Sequence, residues 1–170
     1  AGRRAFLKHP QFDLAVGLMC TALATCNKYV VQGWTTPLQP YFMLLAPTAG
    51  GKGSAIDSVY DFAHHFGLGD GVFQGFQSYH AMLDKLAQPP NMACWLWDEA
   101  ARRLKSTRNA GSFDYQVITW LLQMYGKSNS RMPGLPGRKN SIQALERPFL
   151  TIMATAQPAQ MIESVTVSDL

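Results

Sequence analysis

Three runs along the chain are apolar or nearly so, Tyr41–Leu45, Ala93–Trp97 and Phe149–Ala154, the last broken only by Thr151, and each gives way to small or polar residues. Apolar runs of this length are what strands buried on both faces of a parallel sheet require. Between them the apolar spacing shifts to three and four. Ala15 to Val30 predicts a buried or amphipathic helix, ended by Gly33 and the turn-rich Thr35-Thr36-Pro37. A glycine-rich turn follows Leu45, then a helical pattern to about His65. Gly67, Gly69 and Gly71 mark a loop, Val72–Phe76 a short strand, and Ser78–Ala87 a helix stopped by Pro89-Pro90. Phe113 to Tyr125 places Val117, Trp120, Leu121 and Met124 on one stripe, a further helix. Gly126 to Asn140 is rich in Gly, Pro, Ser and basic residues and predicts a loop or an exposed hairpin. The alternation predicts an α/β fold of three layers, a mostly parallel sheet with helices on both faces.

Composition bounds that picture. With 47% hydrophobic and 15% charged residues over 170 positions, one globular domain is expected rather than a disordered chain. Residues 1–35 read as a helical lead-in and 36–170 as the core. A start at Ala1 rather than methionine reads as an excerpt of a longer chain. Leu14–Ala24, following Arg3, Arg4 and Lys8, has the order of a signal peptide, but Asp13 interrupts the basic region. The stretch is also too short to span a bilayer before Asn27 and Lys28, so a buried helix and no membrane are expected. Cys20, Cys26 and Cys94 sit in apolar stretches without CxxC spacing, the pattern of reduced thiols in a cytoplasmic protein.

The modest net charge of +4 is unevenly placed. Between Ala100 and Arg147, nine basic residues face only Asp114 and Glu146, a net +7, which leaves −3 for the rest. Such a segment can meet a polyanion such as DNA, or can be a solvated face. Arg131, Arg138 and Lys139 are its candidates for contact with nucleic acid or a neighbouring subunit.

A strand, a glycine-rich turn and a lysine opening a helix form a phosphate cradle. Glycines let backbone N–H groups turn toward the anion, and the helix N-terminus adds its dipole. Gly51-Lys52 match the second half of G-x-x-x-x-G-K-[ST], and Thr48, Ala49 and Gly50 complete a small, flexible loop. Ala46 replaces the first glycine, and Gly53 stands where Ser or Thr would reach magnesium, a role that Ser54 could take. The alternative is an ordinary turn with a solvated lysine. Asp98-Glu99 ends the second apolar run 46 positions beyond Lys52. Adjacent carboxylates at the end of a buried strand are expensive unless a cation or proton engages them. The expected roles are metal orientation for Asp98 and activation of water for Glu99. A helix cap is the alternative for Asp98. Thr155 and Gln157, leaving the third strand, could hydrogen-bond the attacking water or the γ-phosphate.

The segments Leu45–Ser54, Trp95–Ala100 and Arg147–Pro158 resemble the P-loop ATPase domain of phage and prophage replication proteins, primase- or helicase-associated, and the resemblance runs from the first helix through Asp169. It implies a RecA/AAA-like core, ATP with Mg²⁺, a homo-oligomer, and a helicase- or translocase-like step on DNA, with Lys52 and Glu99 catalytic. A nucleotide-binding switch or assembly module with little turnover is the alternative. His64-His65 near Asp61, Trp95 and Trp97, and Tyr29 with Trp34 are read as surface or packing residues, since a metal site needs three or four ligands.

Overall fold

The computed structural model of the protein describes residues 9–26, 28–29, 38–75, 79–89, 91–106, 113–125, 127, 130–134 and 144–164. Four strands form a sheet: β1 (Tyr41–Leu45), β2 (Val72–Phe73), β3 (Met92–Trp97) and β6 (Phe149–Ala156). Their order is β1-β6-β3-β2 and every pairing is parallel. A two-stranded antiparallel ribbon, β4 (Arg131–Met132) with β5 (Leu145–Glu146), lies within the basic segment. The helices are α1 (Pro10–Thr25), α2 (Lys52–His65), α3 (Tyr79–Ala87), α4 (Ala100–Ser106), α5 (Phe113–Met124) and α6 (Pro158–Ser164).

Strand periodicity divides the core in two. On β3, Met92, Cys94 and Leu96 join β6 residues Phe149 and Met153 beneath α1 and α2. The alternate residues Ala93, Trp95 and Trp97 join Leu150, Ile152 and Ala154 beneath α3 and α5. Every residue of β3 and β6 is buried, as continuous apolar runs require when both faces are covered. The α5 stripe keeps its predicted direction: Val117, Leu121 and Met124 are buried and Trp120 partly so.

Several boundaries move. The first helix begins five residues earlier than expected, because Pro10 takes the first helical position, where its missing N–H costs nothing. It also ends sooner, at Cys26, whose φ is positive (45°) and whose N–H closes on the Ala22 carbonyl. β2 is two residues long, and Phe76, to which it was expected to run, lies outside the described residues, as do Ser78 and Pro90.

β1 departs from expectation in kind. Its boundaries are as predicted, yet it is the edge strand rather than one buried on both faces. It pairs only with β6 among the described residues, and Met43 and Leu45 are exposed. A cleft of about 380 Å³ opens beside it toward α5, lined by Tyr41, Met43, Trp97, Leu122 and Tyr125 among others. Among the described residues, no helix is long and apolar enough to cross a membrane.

Candidate functional site

The central position of β6 sets the site. Paired with β1 on one side and β3 on the other, it brings three strand ends side by side. With adjacent strands about 4.8 Å apart, the ends of β1 and β3 stand roughly 10 Å from each other.

The loop after β1 folds tightly upon itself. The Ala46 N–H extends the ladder to the Ala156 carbonyl (3.2 Å), and the Gly50 N–H bonds the Pro47 carbonyl (3.1 Å). A side chain at Gly50 would bring its Cβ 2.8 Å from the Ala46 Cβ and 2.9 Å from the Pro47 oxygen, so only glycine fits. Ala49 and Gly51 are both left-handed, at φ 61° and 82°. Thr48 and Ala49 lie exposed at the tip, Gly50 is buried, and Gly51 caps α2. Open space surrounds Gly53, so packing does not explain its lack of a side chain. Ser54 follows half-buried in the first turn.

Lys52 is 8% exposed, and its Nζ donates to the Ala46 carbonyl at 2.8 Å. The lysine therefore folds back across the loop that precedes it. It does so at the first position of a 14-residue helix with no side-chain cap and no acidic residue in its first turn. The orphan amides and the positive end of the dipole thus gather around a buried cation.

On the other side of β6, Asp98 and Glu99 form the turn between β3 and α4, and both are exposed. The expected burial penalty for these carboxylates is therefore absent, because the chain leaves the sheet at Trp97. Nor does Asp98 cap α4 in the usual way. Its Oδ1 accepts from the adjacent Glu99 N–H (2.9 Å) and from the Thr155 hydroxyl (2.5 Å). Glu99 is left-handed at φ 53°, a conformation that disfavours side chains other than glycine, asparagine and aspartate. Thr155 is fully buried within β6 rather than beyond it. With its one proton given to Asp98, its hydroxyl has only lone pairs left, the wrong polarity for a phosphate oxygen. Gln157 is half-buried just past the strand, its carbonyl accepting the Met161 N–H at 2.9 Å.

The structure thus draws the loop 46–54 and the trio Asp98, Glu99 and Thr155 to one end of the sheet. Of the basic residues, Arg102 and Arg103 follow this turn directly on α4, the Arg102 N–H bonding the Glu99 carbonyl at 3.2 Å, and the others stand further along the chain. Arg131 Nε meets Glu146 Oε1 at 2.8 Å across the β4–β5 ribbon, with both side chains largely exposed. Arg102, Arg103, Lys105, Lys127 and Arg147 are exposed, and Arg138 and Lys139 lie outside the described residues. His64 and His65 are exposed, and the described residues contain no group of three or more His, Cys, Asp or Glu arranged for a metal. Trp95 and Trp97 share one face and stack at 4.5 Å with 6° between their planes. Tyr29 is exposed, and Trp34 lies outside the described residues. The cysteines are free thiols, and burial pushes all three above the ordinary thiol range.

Two features of the site had no signal in the sequence, the Ala46 carbonyl as partner of Lys52 and the left-handed backbone of Glu99. The first depends on loop closure and the second on the angle at which β3 meets α4. In comparisons with known proteins, no family model, curated protein or solved structure matches this chain. What stands without a relative is the class: an α/β domain with a parallel four-stranded sheet.

Proposed function

We propose that this domain is a three-layer P-loop ATPase core that binds ATP with Mg²⁺ and hydrolyses it in the cytoplasm. The work it drives is a helicase- or translocase-like step on DNA, carried out by a homo-oligomer. One observation carries the reading: Lys52, a buried cation with one hydrogen bond to a carbonyl, stands at the uncapped N-terminus of α2. Two positive features converge there without an anion from the described residues, which is the electrostatics of a phosphate site. The tight turn at Gly50 and the left-handed Ala49 and Gly51 suit the fit, since a small loop of this kind lets an anion approach the backbone closely.

Within that reading, residues 48–54 and Lys52 would hold the phosphates, Asp98 and Ser54 are the candidate ligands of the metal, and Glu99 would orient the attacking water and take its proton. Magnesium, when bound, would supply neutralisation of the charge that develops on the phosphates. Measuring ATP affinity and steady-state hydrolysis, with and without single-stranded DNA, tests it. A DNA-stimulated ATPase supports the motor. Absence of ATP binding by the intact chain would end the proposal.

A second reading, a nucleotide-binding switch or assembly module with little turnover, draws on Gly53. No hydroxyl stands at the position next to Lys52, although the space around it is open. Tight ATP binding with negligible hydrolysis, whether or not DNA is present, would favour it.

A further inference from the structure

We infer that Thr155 is a positioning residue that orients the Asp98 carboxylate for a divalent cation, and that the cation is held from the β3 side of the site rather than from α2. The inference rests on the nucleotide-site reading above and adds to it a division of labour.

Three observations carry it. Asp98 is exposed, and an exposed carboxylate ordinarily rotates freely, yet its Oδ1 accepts two hydrogen bonds, from the Glu99 N–H and the Thr155 hydroxyl. Those two donors fix the plane of the group and leave Oδ2 as the oxygen free to meet a ligand. Thr155 is itself enclosed by the sheet. It is fully buried in the central strand, in register with Leu44 of β1, and its hydroxyl is tied across to the turn that follows β3. Finally, Gly53 removes the hydroxyl that a Ser or Thr would offer beside Lys52, which leaves the start of α2 only Ser54, half-buried one residue further into the helix.

One carboxylate oxygen, with no group of three metal-ligating side chains beside it among the described residues, does not form the cage that zinc takes. It fits a hard cation that keeps most of its water and takes the rest of its ligands from phosphate, as Mg²⁺ does. Partners that orient a ligating group typically change metal affinity by about 10–100-fold when removed.

The test uses the full chain and two substitutions of similar size. Thr155→Val deletes the hydroxyl but keeps the β-branched shape, and Thr155→Ser keeps the hydroxyl. Mn²⁺ alone is titrated by water-proton relaxation, and Mg²⁺ is titrated against ATP affinity. Thr155→Val should need about tenfold more metal or beyond in both titrations, with ATP affinity in EDTA unchanged and Thr155→Ser within about threefold of the parent. Metal affinity in Thr155→Val equal to that of the parent overturns the inference. So does a fall in ATP affinity in EDTA that matches the loss in metal, which would show a merely structural role. Should ATP fail to bind to the parent at all, the nucleotide reading fails. The Mn²⁺ titration then still decides the inference, because Asp98→Asn and Thr155→Val must weaken Mn²⁺ together or the pairing does not serve a cation.

Discussion

A lysine at the first position of a helix stands where the backbone is already positive, and burial removes the water that would screen it. Lys52 is in that position with one of its three donors engaged, on the Ala46 carbonyl. Lys52→Ala should weaken ATP by about tenfold or more, the value of one charge-assisted hydrogen bond, while relieving the helix terminus of a repulsion. Titration calorimetry with ATP checks the affinity, and an unchanged dissociation constant would remove the phosphate assignment. Glu99 poses the opposite trade. Its φ of 53° is strained for a glutamate, and Cys26, Ala49, Asn91 and Arg147 share the positive φ. Glu99→Gln should leave ATP bound and slow hydrolysis by about 10²-fold. Glu99→Gly should abolish hydrolysis too, yet stabilise the fold by about 1 kcal/mol and raise the melting temperature by about 2–4 °C. A glycine variant that hydrolyses ATP normally would reduce Glu99 to an accident of the turn.

At the scale of elements, the buried strands make a prediction independent of any ligand. Cys94 on β3 is buried, and its thiol is pushed well above the ordinary range, by desolvation first and by the neighbouring Cys20 second. Tyr41 on β1 is shifted the same way, by burial and then by Tyr125. A raised pKa in the folded state means the unfolded chain releases the proton first. The stabilisation is therefore complete below the unfolded values, about 8.5 for the thiol and 10 for the phenol, and drains away as pH rises. Each group should subtract about 1.4 kcal/mol per pH unit above its unfolded value. Denaturant melts between about pH 8 and 10.5 should show this fall, shallower in Cys94→Ala even though that variant starts less stable. Equal slopes would mean that Cys94 ionises freely in the native state.

The elements that could be read in advance were those whose pattern is set by burial. The runs that became β3 and β6 are apolar at all positions but Thr151 and Thr155, because helices cover both their faces. The stripe of α5 declared itself by spacing. β1 has the same composition as its neighbours but sits at the edge, since its place depends on which strands pair, a long-range choice that five residues do not encode. At the site, the pattern Gly51-Lys52 and the pair Asp98-Glu99 marked the two strand ends. That β6 would lie between them, and that Thr155 would give its hydroxyl to Asp98, required the order of the sheet. The expected cost of burying the carboxylates failed for the same reason, because a strand's burial does not extend past the residue where it leaves the sheet.

For the whole molecule, the dominant electrostatic feature is the segment from Ala100 to Arg147, which carries +7 against −3 for the remainder. Its described cations on α4, at Lys127 and on the β4–β5 ribbon are exposed, so phosphates can reach them, but they are not equivalent. Arg131 already faces Glu146 at 2.8 Å, and an anion approaching it competes with that carboxylate. An exposed pair of this kind is weak, so the competition is modest and measurable. If DNA binds this segment, Glu146→Gln should tighten binding, and Lys127→Ala should weaken it more than Arg131→Ala does. Each phosphate contact contributes close to one unit to the log–log dependence of affinity on salt. Arg138→Ala with Lys139→Ala should therefore flatten that slope by up to about two units and leave ATP affinity intact. Fluorescence anisotropy with a labelled single strand across a salt series reads both quantities. A double variant that keeps its affinity and slope but loses cooperative ATPase activity assigns the two residues to a contact between subunits. One that changes neither makes the segment a solvated surface, and DNA then loses its strongest claim as the partner.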